Sequence, residues 1–200
     1  MDRVSGLFST AYFPSICYLQ SYFQNTECTI EAFESFPKQT QRNRCEIFTS
    51  NGLLRLSVPV SKINGSKTLT KDVDIDFSKK WQNEHWRAIQ SAYATAPYFE
   101  DYQASVKDII YNSPTKLIDL NLEILNFVFN ILDENVATQF SSSYAREHEL
   151  DYRNIDFMER TEINSYQQVF SYDQAFINNL SFLDLLFNEG PFMRNWILKK

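Results

Sequence analysis

Asn51 and Gly52 stand between two runs of alternating apolar and polar residues, CEIFTS before them and LLRLSVPV after. An Asn-Gly pair at such a junction accepts the positive backbone torsions of a tight turn, so it predicts two antiparallel strands joined here. An all-helical fold is thereby excluded. The opposite constraint comes from the middle of the chain. Ser113 and Pro114 supply a cap and a first-turn proline for a helix running to Leu132. That helix is apolar on nearly every side (Leu117, Ile118, Leu120, Leu122, Ile124, Leu125, Phe127, Val128, Phe129), which predicts a central, buried position.

The remaining elements arrange themselves around these two. Residues 6–13 read as a strand, Pro14 and Ser15 turn the chain into a helix near 16–24, and residues 28–33 alternate as a half-buried strand does. A short strand is predicted at 73–75. Ser78 can cap a helix over 79–94 that stops before Ala96-Pro97, and a second helix covers 98–111. Short strands are placed near 138–142 and 167–171. Ser181 and Asp184, in capping-box spacing, open a closing helix to Asn188, with Gly190-Pro191 as its stop. Strands first, helices in the middle and strands again late predict the α/β class: a mixed β-sheet with a β-hairpin, packed against several α-helices. The hairpin keeps α+β as the alternative. Two hundred residues suit one domain over 1–200, and 17 Phe, 11 Tyr and 3 Trp build its core.

Charge narrows the function classes. A net charge of −6 excludes the extended basic face of a nucleic-acid binder. No apolar run approaches the roughly 20 residues of a membrane span, and the start MDRVSGLFSTAYFPS is not built as a signal peptide. Cys17, Cys28 and Cys45 are odd in number and widely spaced, which fits neither a disulfide framework nor a zinc site. The expectation is a cytoplasmic protein with reduced thiols and no metal site. No cofactor follows from the sequence.

Against this acidic background the stretch KQTQRNR holds Lys38, Arg42 and Arg44 with no acid among them. Arginine forks bind phosphate or carboxylate bidentately, and Arg42 and Arg44 at i and i+2 would share a face if the segment were extended. They are the predicted binders of an anionic small molecule or sugar, with Lys38 as a further charge and Asn43 as an orienting group. Salt bridges to Glu31, Glu34 or Glu46 are the competing use of these cations. His85 lies four residues after Trp81, hence on the same helical face. Its proton affinity suits a general base, and Trp81 offers a stacking surface. Tyr12 stands where the first strand meets the following helix, a common position for ligand contacts. Asp184 and Asn188 share a face of an apolar helix, so they either pair within the core or reach a cavity, where Asp184 would be an acid or base.

Taken in order, TAYFPSICYL, FPKQTQRNRCEI, NGLLRLSVPV, Trp81-x-x-x-His85 with AYATAPYF, and NLSFLDLLFNEGP resemble the WbqC-like family. The resemblance implies a place in the assembly of O-antigen and other surface polysaccharides, with transfer of a glycyl or other aminoacyl group among the roles suggested for it. Longer members carry His-Gln-Pro where this chain has Phe8, Ser9 and Thr10, and a glycine-rich later segment, whereas no glycine lies between Gly65 and Gly190 here. Two expectations follow. One is a transferase moving an acyl, aminoacyl or sugar group from an anionic donor to a saccharide, with His85 and Asp184 catalytic and Tyr12, Trp81, Lys38, Arg42, Asn43, Arg44 and Asn188 binding substrate. The other is a non-catalytic module that holds an anionic sugar precursor.

Overall fold

Residues 4–37, 39–61, 63–172 and 174–198 are described by the computed structural model. Its organising element is a sheet of four parallel strands: β1 (Ser5–Phe8), β2 (Glu27–Ile30), β7 (Ala137–Phe140) and β8 (Leu150–Asp151). Their spatial order is β7-β2-β1-β8. Parallel strands need crossovers, and helix α1 (Ile16–Phe23) makes the first one, between β1 and β2. Ser15 caps it by accepting from the Tyr18 amide, as its position before the apolar periodicity predicts.

Strand β1 is shorter than the alternation over 6–13 predicts. After Phe8 the backbone is irregular yet buried, and its donors go elsewhere: the Tyr12 amide donates to the Gln41 carbonyl, 2.9 Å away. Phe13 takes a positive φ of 37°, so the chain turns sharply into Pro14. A segment buried all round carries the same apolar residues as a strand without pairing as one.

The hairpin forms as predicted, β3 (Arg44–Thr49) against β4 (Gly52–Ser57). Its turn is shifted by one residue. Thr49 pairs with Gly52, leaving Ser50 and Asn51 as the loop, and Gly52 carries the positive φ of 92°. The Thr49 hydroxyl fixes this choice by accepting from the Asn51 amide and donating to the Gly52 carbonyl. A second small ladder joins β5 (Val60–Ser61) to β6 (Asp74–Ile75).

Helices α2 (Trp81–Tyr93), α3 (Phe99–Tyr111) and α4 (Leu117–Leu132) form the middle third. Two predicted caps do other work. Ser78 closes an Asx turn on Asp76, with both its amide and its hydroxyl on Asp76 Oδ1. Ser113 donates to the carbonyls of Ile109 and Ile110, finishing α3 rather than starting α4. Helix α4 is central but not buried all round: Asp119, Glu123, Asn126 and Asn130 form an exposed ridge at helical spacing. The late strand near 138–142 is β7. Residues 169–172 form a turn instead of a strand, held from inside by the amide of Gln168, which accepts from the Ile177 amide and donates to the Ile177 carbonyl. Helix α5 (Phe182–Glu189) is capped by Ser181, and the short helix α6 (Arg194–Ile197) follows Gly190-Pro191 after one tight turn.

The result is a mixed α/β fold in which one continuous cluster of buried residues joins β1, α1, the hairpin and helices α2 to α6. Among the described residues no helix is long and apolar enough to cross a membrane.

Candidate functional site

Because the four strands are parallel, all of them leave the sheet at one edge. Beyond it, β1 gives Ser9, β2 gives Glu31 to Glu34, β7 gives Ser141 to Tyr144, and β8 gives Arg153 to Asp156. Carboxyl ends of parallel strands are the usual ligand side of open α/β sheets. Here the exits of β2, β7 and β8 meet the β3–β4 hairpin across an open groove of about 1070 Å³, while Ser9 after β1 is buried behind it. Its walls include Glu34, Arg42, Glu46, Arg55, Tyr144, Arg153, Asp156, Glu159 and Arg160.

Glu31 holds the strand exits together. It is fully buried and accepts from the Phe33 amide (2.8 Å), the Ser141 hydroxyl (2.6 Å), the Ala145 amide (2.9 Å) and Arg153 Nη1 (3.3 Å). Arg153 is in turn locked onto Asp151, with Nε 2.9 Å and Nη2 2.6 Å from its carboxylate. These hydrogen bonds hold the Asp151 carboxyl below the usual carboxylate range. The Arg153 guanidinium also lies 5.1 Å from the centre of the Tyr144 ring.

The other arginines are engaged differently. Arg42 forks onto Glu34, Nε at 2.6 Å and Nη2 at 2.7 Å, and both side chains are nearly out of solvent. Its carbonyl accepts from Asn121 of α4, which anchors the loop to the core. Arg55, directly opposite Glu46 in the hairpin register, donates to Glu46 Oε1, while Arg160 donates to Oε2. Two cations therefore share one buried carboxylate, an excess of positive charge within this group of three. Asp156 and Glu159 line the groove without an ion pair among the described residues. The groove thus sets this cationic group among carboxylates that make no ion pair, Asp156 accepting from the Met158 amide, a lining suited to a polar ligand bearing an anion.

The residues singled out by sequence fall into separate places. Lys38 lies outside the described residues. Arg42 lines the groove. Arg44 instead begins β3 and lines a small cavity behind the groove wall, with Gln41, Cys45 and Glu46. The reason is local: residues 41–43 form a turn, so side chains at i and i+2 do not project together. Burial, and then the nearby Arg55 charge, lower the proton affinity of Arg44. Asn43 clasps Val58, donating from its side chain to the Val58 carbonyl at 2.8 Å and accepting on its own carbonyl from the Val58 amide.

Tyr12, Trp81 and His85 do come together, but inside the core. The Tyr12 hydroxyl is 2.8 Å from His85 Nδ1, and the Trp81 ring stands edge-on 5.1 Å from the imidazole. All three are buried and none lines the groove. Burial pushes the His85 pKa down to about 4, so the ring is neutral at pH 7. Asp184 and Asn188 form a third group. Asp184 is fully buried and accepts from Tyr93 (2.9 Å), Tyr166 (2.6 Å) and Gln168 (2.9 Å), while Asn188 donates to the Asp184 carbonyl. Its pKa is raised to about 6 by burial, against the pull of those hydrogen bonds. Burial likewise raises the Cys45 thiol, which removes its nucleophilic form.

Sequence reasoning passed over Arg55, Tyr144, Arg153, Asp156, Glu159 and Arg160. The predicted register gave no signal for Arg55, since a turn at Asn51-Gly52 sets Glu46 opposite Ser57 and only the one-residue shift of the turn brings Arg55 there. The others come from the segment after β7, where no periodicity marks them. Among the described residues no cluster of three or more His, Cys, Asp or Glu is placed to hold a metal ion.

No solved structure matches the chain. It is 29% identical over 110 residues to an uncharacterized protein of Mycobacterium tuberculosis, Rv1507c. The matched region covers 54% of this chain and 46% of that relative, so the chain spans about half the length of the curated relative it matches. The family match is broader, running over residues 10–168 and taking in the basic loop, the hairpin, helices α2 to α4 and the exits of β2, β7 and β8: the chain belongs to the WbqC-like protein family.

Proposed function

We propose that this protein binds an anionic sugar precursor in the arginine groove and serves in the assembly of surface polysaccharides such as O-antigen. The observation that carries the reading is the convergence of three strand exits, those of β2, β7 and β8, on one open cleft whose hairpin side holds Arg55 and Arg160 on the single carboxylate of Glu46. A phosphate or carboxylate entering there meets two part-exposed guanidiniums, Arg55 on Glu46 and Arg160 on Glu46 and the carbonyls of Asn178 and Asn179, while Arg42 and Arg153, buried and forked onto carboxylates, act as rigid walls. The pathway is what family membership supports.

The test is calorimetric titration of the purified chain with nucleotide sugars, sugar 1-phosphates and acyl-CoA donors. Arg55→Ala and Arg160→Ala should each weaken the binding ligand by about 1.5–3 kcal/mol, the range for hydrogen bonds to charged groups. His85→Gln should leave affinity unchanged. An affinity indifferent to both arginine variants removes the proposal.

A second reading, in which the chain itself transfers an acyl, aminoacyl or sugar group, is favoured by Asp156 and Glu159. Neither makes an ion pair among the described residues and both line the same groove, available to deprotonate an acceptor hydroxyl or amine, where His85 and Asp184 are enclosed by the core. Turnover of a donor and a saccharide acceptor should then fall in Asp156→Asn or Glu159→Gln with donor binding retained. A chain that binds but never turns over is the binding module.

A further inference from the structure

Tyr144 is 55% exposed, yet it is not a loose surface ring. It lines the groove with the Arg153 guanidinium 5.1 Å from its ring centre. That guanidinium is itself immobilised: its side chain is 6% exposed, and its nitrogens are taken by Asp151, Glu31 and, at 2.7 Å, the Ala145 carbonyl. Behind Arg153, the buried Glu31 ties the same support to β2 and β7. An aromatic ring held against a fixed cation, with much of its surface open to the cleft, is ordered before any ligand arrives, which removes most of the cost of stacking.

We propose that Tyr144 is the stacking platform for the base of a nucleotide, so that the sugar precursor held in the groove is nucleotide-linked. This rests on anion binding at Arg55 and Arg160, as proposed above. The dimensions agree. A cleft of about 1070 Å³ lies just above the span of small-ligand sites, which run from roughly 300 to 1,000 Å³, and it has room for a base, its phosphates and a sugar. The platform and the shared cations belong to different walls: Tyr144 and Arg153 to the sheet edge, Arg55 to the hairpin. A base on Tyr144 with phosphates toward Arg55 and Arg160 uses both. Asn154 lines the wall beside Arg153 and offers an amide to a base edge.

The experiment titrates the full chain with adenosine and uridine 5′-monophosphates, ribose 5-phosphate and glucose 1-phosphate. Wild type, Tyr144→Phe, Tyr144→Ala and Arg160→Ala are compared, with circular dichroism confirming that each is folded. Both nucleotides should bind wild type more tightly than ribose 5-phosphate. Tyr144→Phe should retain that preference, and Tyr144→Ala should lose it, weakening nucleotides by roughly 5- to 150-fold, the range of base–aromatic stacking. Ribose 5-phosphate should hardly change. If Tyr144→Ala leaves the nucleotides unaffected while Arg160→Ala weakens them, the platform is overturned and anion binding stands. If glucose 1-phosphate depends on Tyr144 as strongly as the nucleotides do, the ring serves a pyranose and the nucleotide assignment is overturned. If none of the four binds, both proposals fall.

Discussion

The buried pair Arg42–Glu34 shows what the basic stretch does at the scale of single residues. Their side chains are 7% and 11% exposed, and the guanidinium makes a two-pronged contact with the carboxylate. Pairs so placed gain little over a well-packed apolar pair, but removing one partner strands the other charge. Glu34→Ala and Arg42→Ala should therefore each cost about 3–5 kcal/mol in urea unfolding, while the Glu34→Leu/Arg42→Met double variant should cost much less than their sum. Equal and additive losses would mean that the pair is solvated. The sequence made the cluster visible because three cations stand together in an acidic chain. It hid the division of labour, since Arg42 sits in a turn and Arg44 in a strand two positions later. Tyr12 and His85 were each legible as interesting, yet 73 residues separate them and nothing local announces their hydrogen bond.

Elements were legible where a local signal matched the final environment. The Asn-Gly turn, the periodicity of α1 and the cap of α5 all act over a few residues, and all three elements formed. The sheet's outer strand β8 is two residues long, exists because Leu150 and Asp151 pair with Gly6 and Leu7, and leaves no pattern of its own. With it went Arg153, and so most of one groove wall. Gly190-Pro191 stops α5 as predicted and also turns the chain into a tight corner. Gly190 holds φ at 54°, and a Cβ there would fall 2.4 Å from Cδ1 of the Tyr98 ring at the start of α3. The ring is large and its backbone amide is tied to the Phe187 carbonyl, so it cannot simply withdraw. Gly190→Ala should combine a positive-φ penalty with overpacking, about 2–4 kcal/mol in total. In a chain of this length that lowers Tm by roughly 5–15 °C. A change under 2 °C would show that α5 and α3 are free to part.

At the scale of the whole molecule, the core contains two titratable groups whose effects on stability oppose each other. His85 is pushed down to about 4 by burial and Asp184 up to about 6. Below its unfolded pKa of about 6.5, the unfolded chain binds a proton at His85 that the folded chain refuses. Stability from this group is thus intact above that pH and is lost as pH falls toward 4. Asp184 works the other way. Between its unfolded value, 3.8, and about 6 the folded chain keeps a proton that the unfolded chain has released, so stability is fullest below 3.8 and lost as pH rises through 6. Each contribution is on the order of 3 kcal/mol, and the windows overlap between pH 4 and 6, where they largely cancel. Removing one group should expose the other. Relative to wild type, Asp184→Asn should lose stability as pH is lowered from 6.5 to 4, whereas His85→Gln should gain it over the same interval. Urea unfolding at pH 4, 5, 6 and 7 measures both differences, and only the slope with pH is read, so any loss common to all pH values drops out. Parallel profiles for the two variants would mean that neither group titrates within the folded core. Opposite slopes would place both as packed, structural ionisable groups, leaving the chemistry of the molecule to the groove at the carboxyl edge of its sheet.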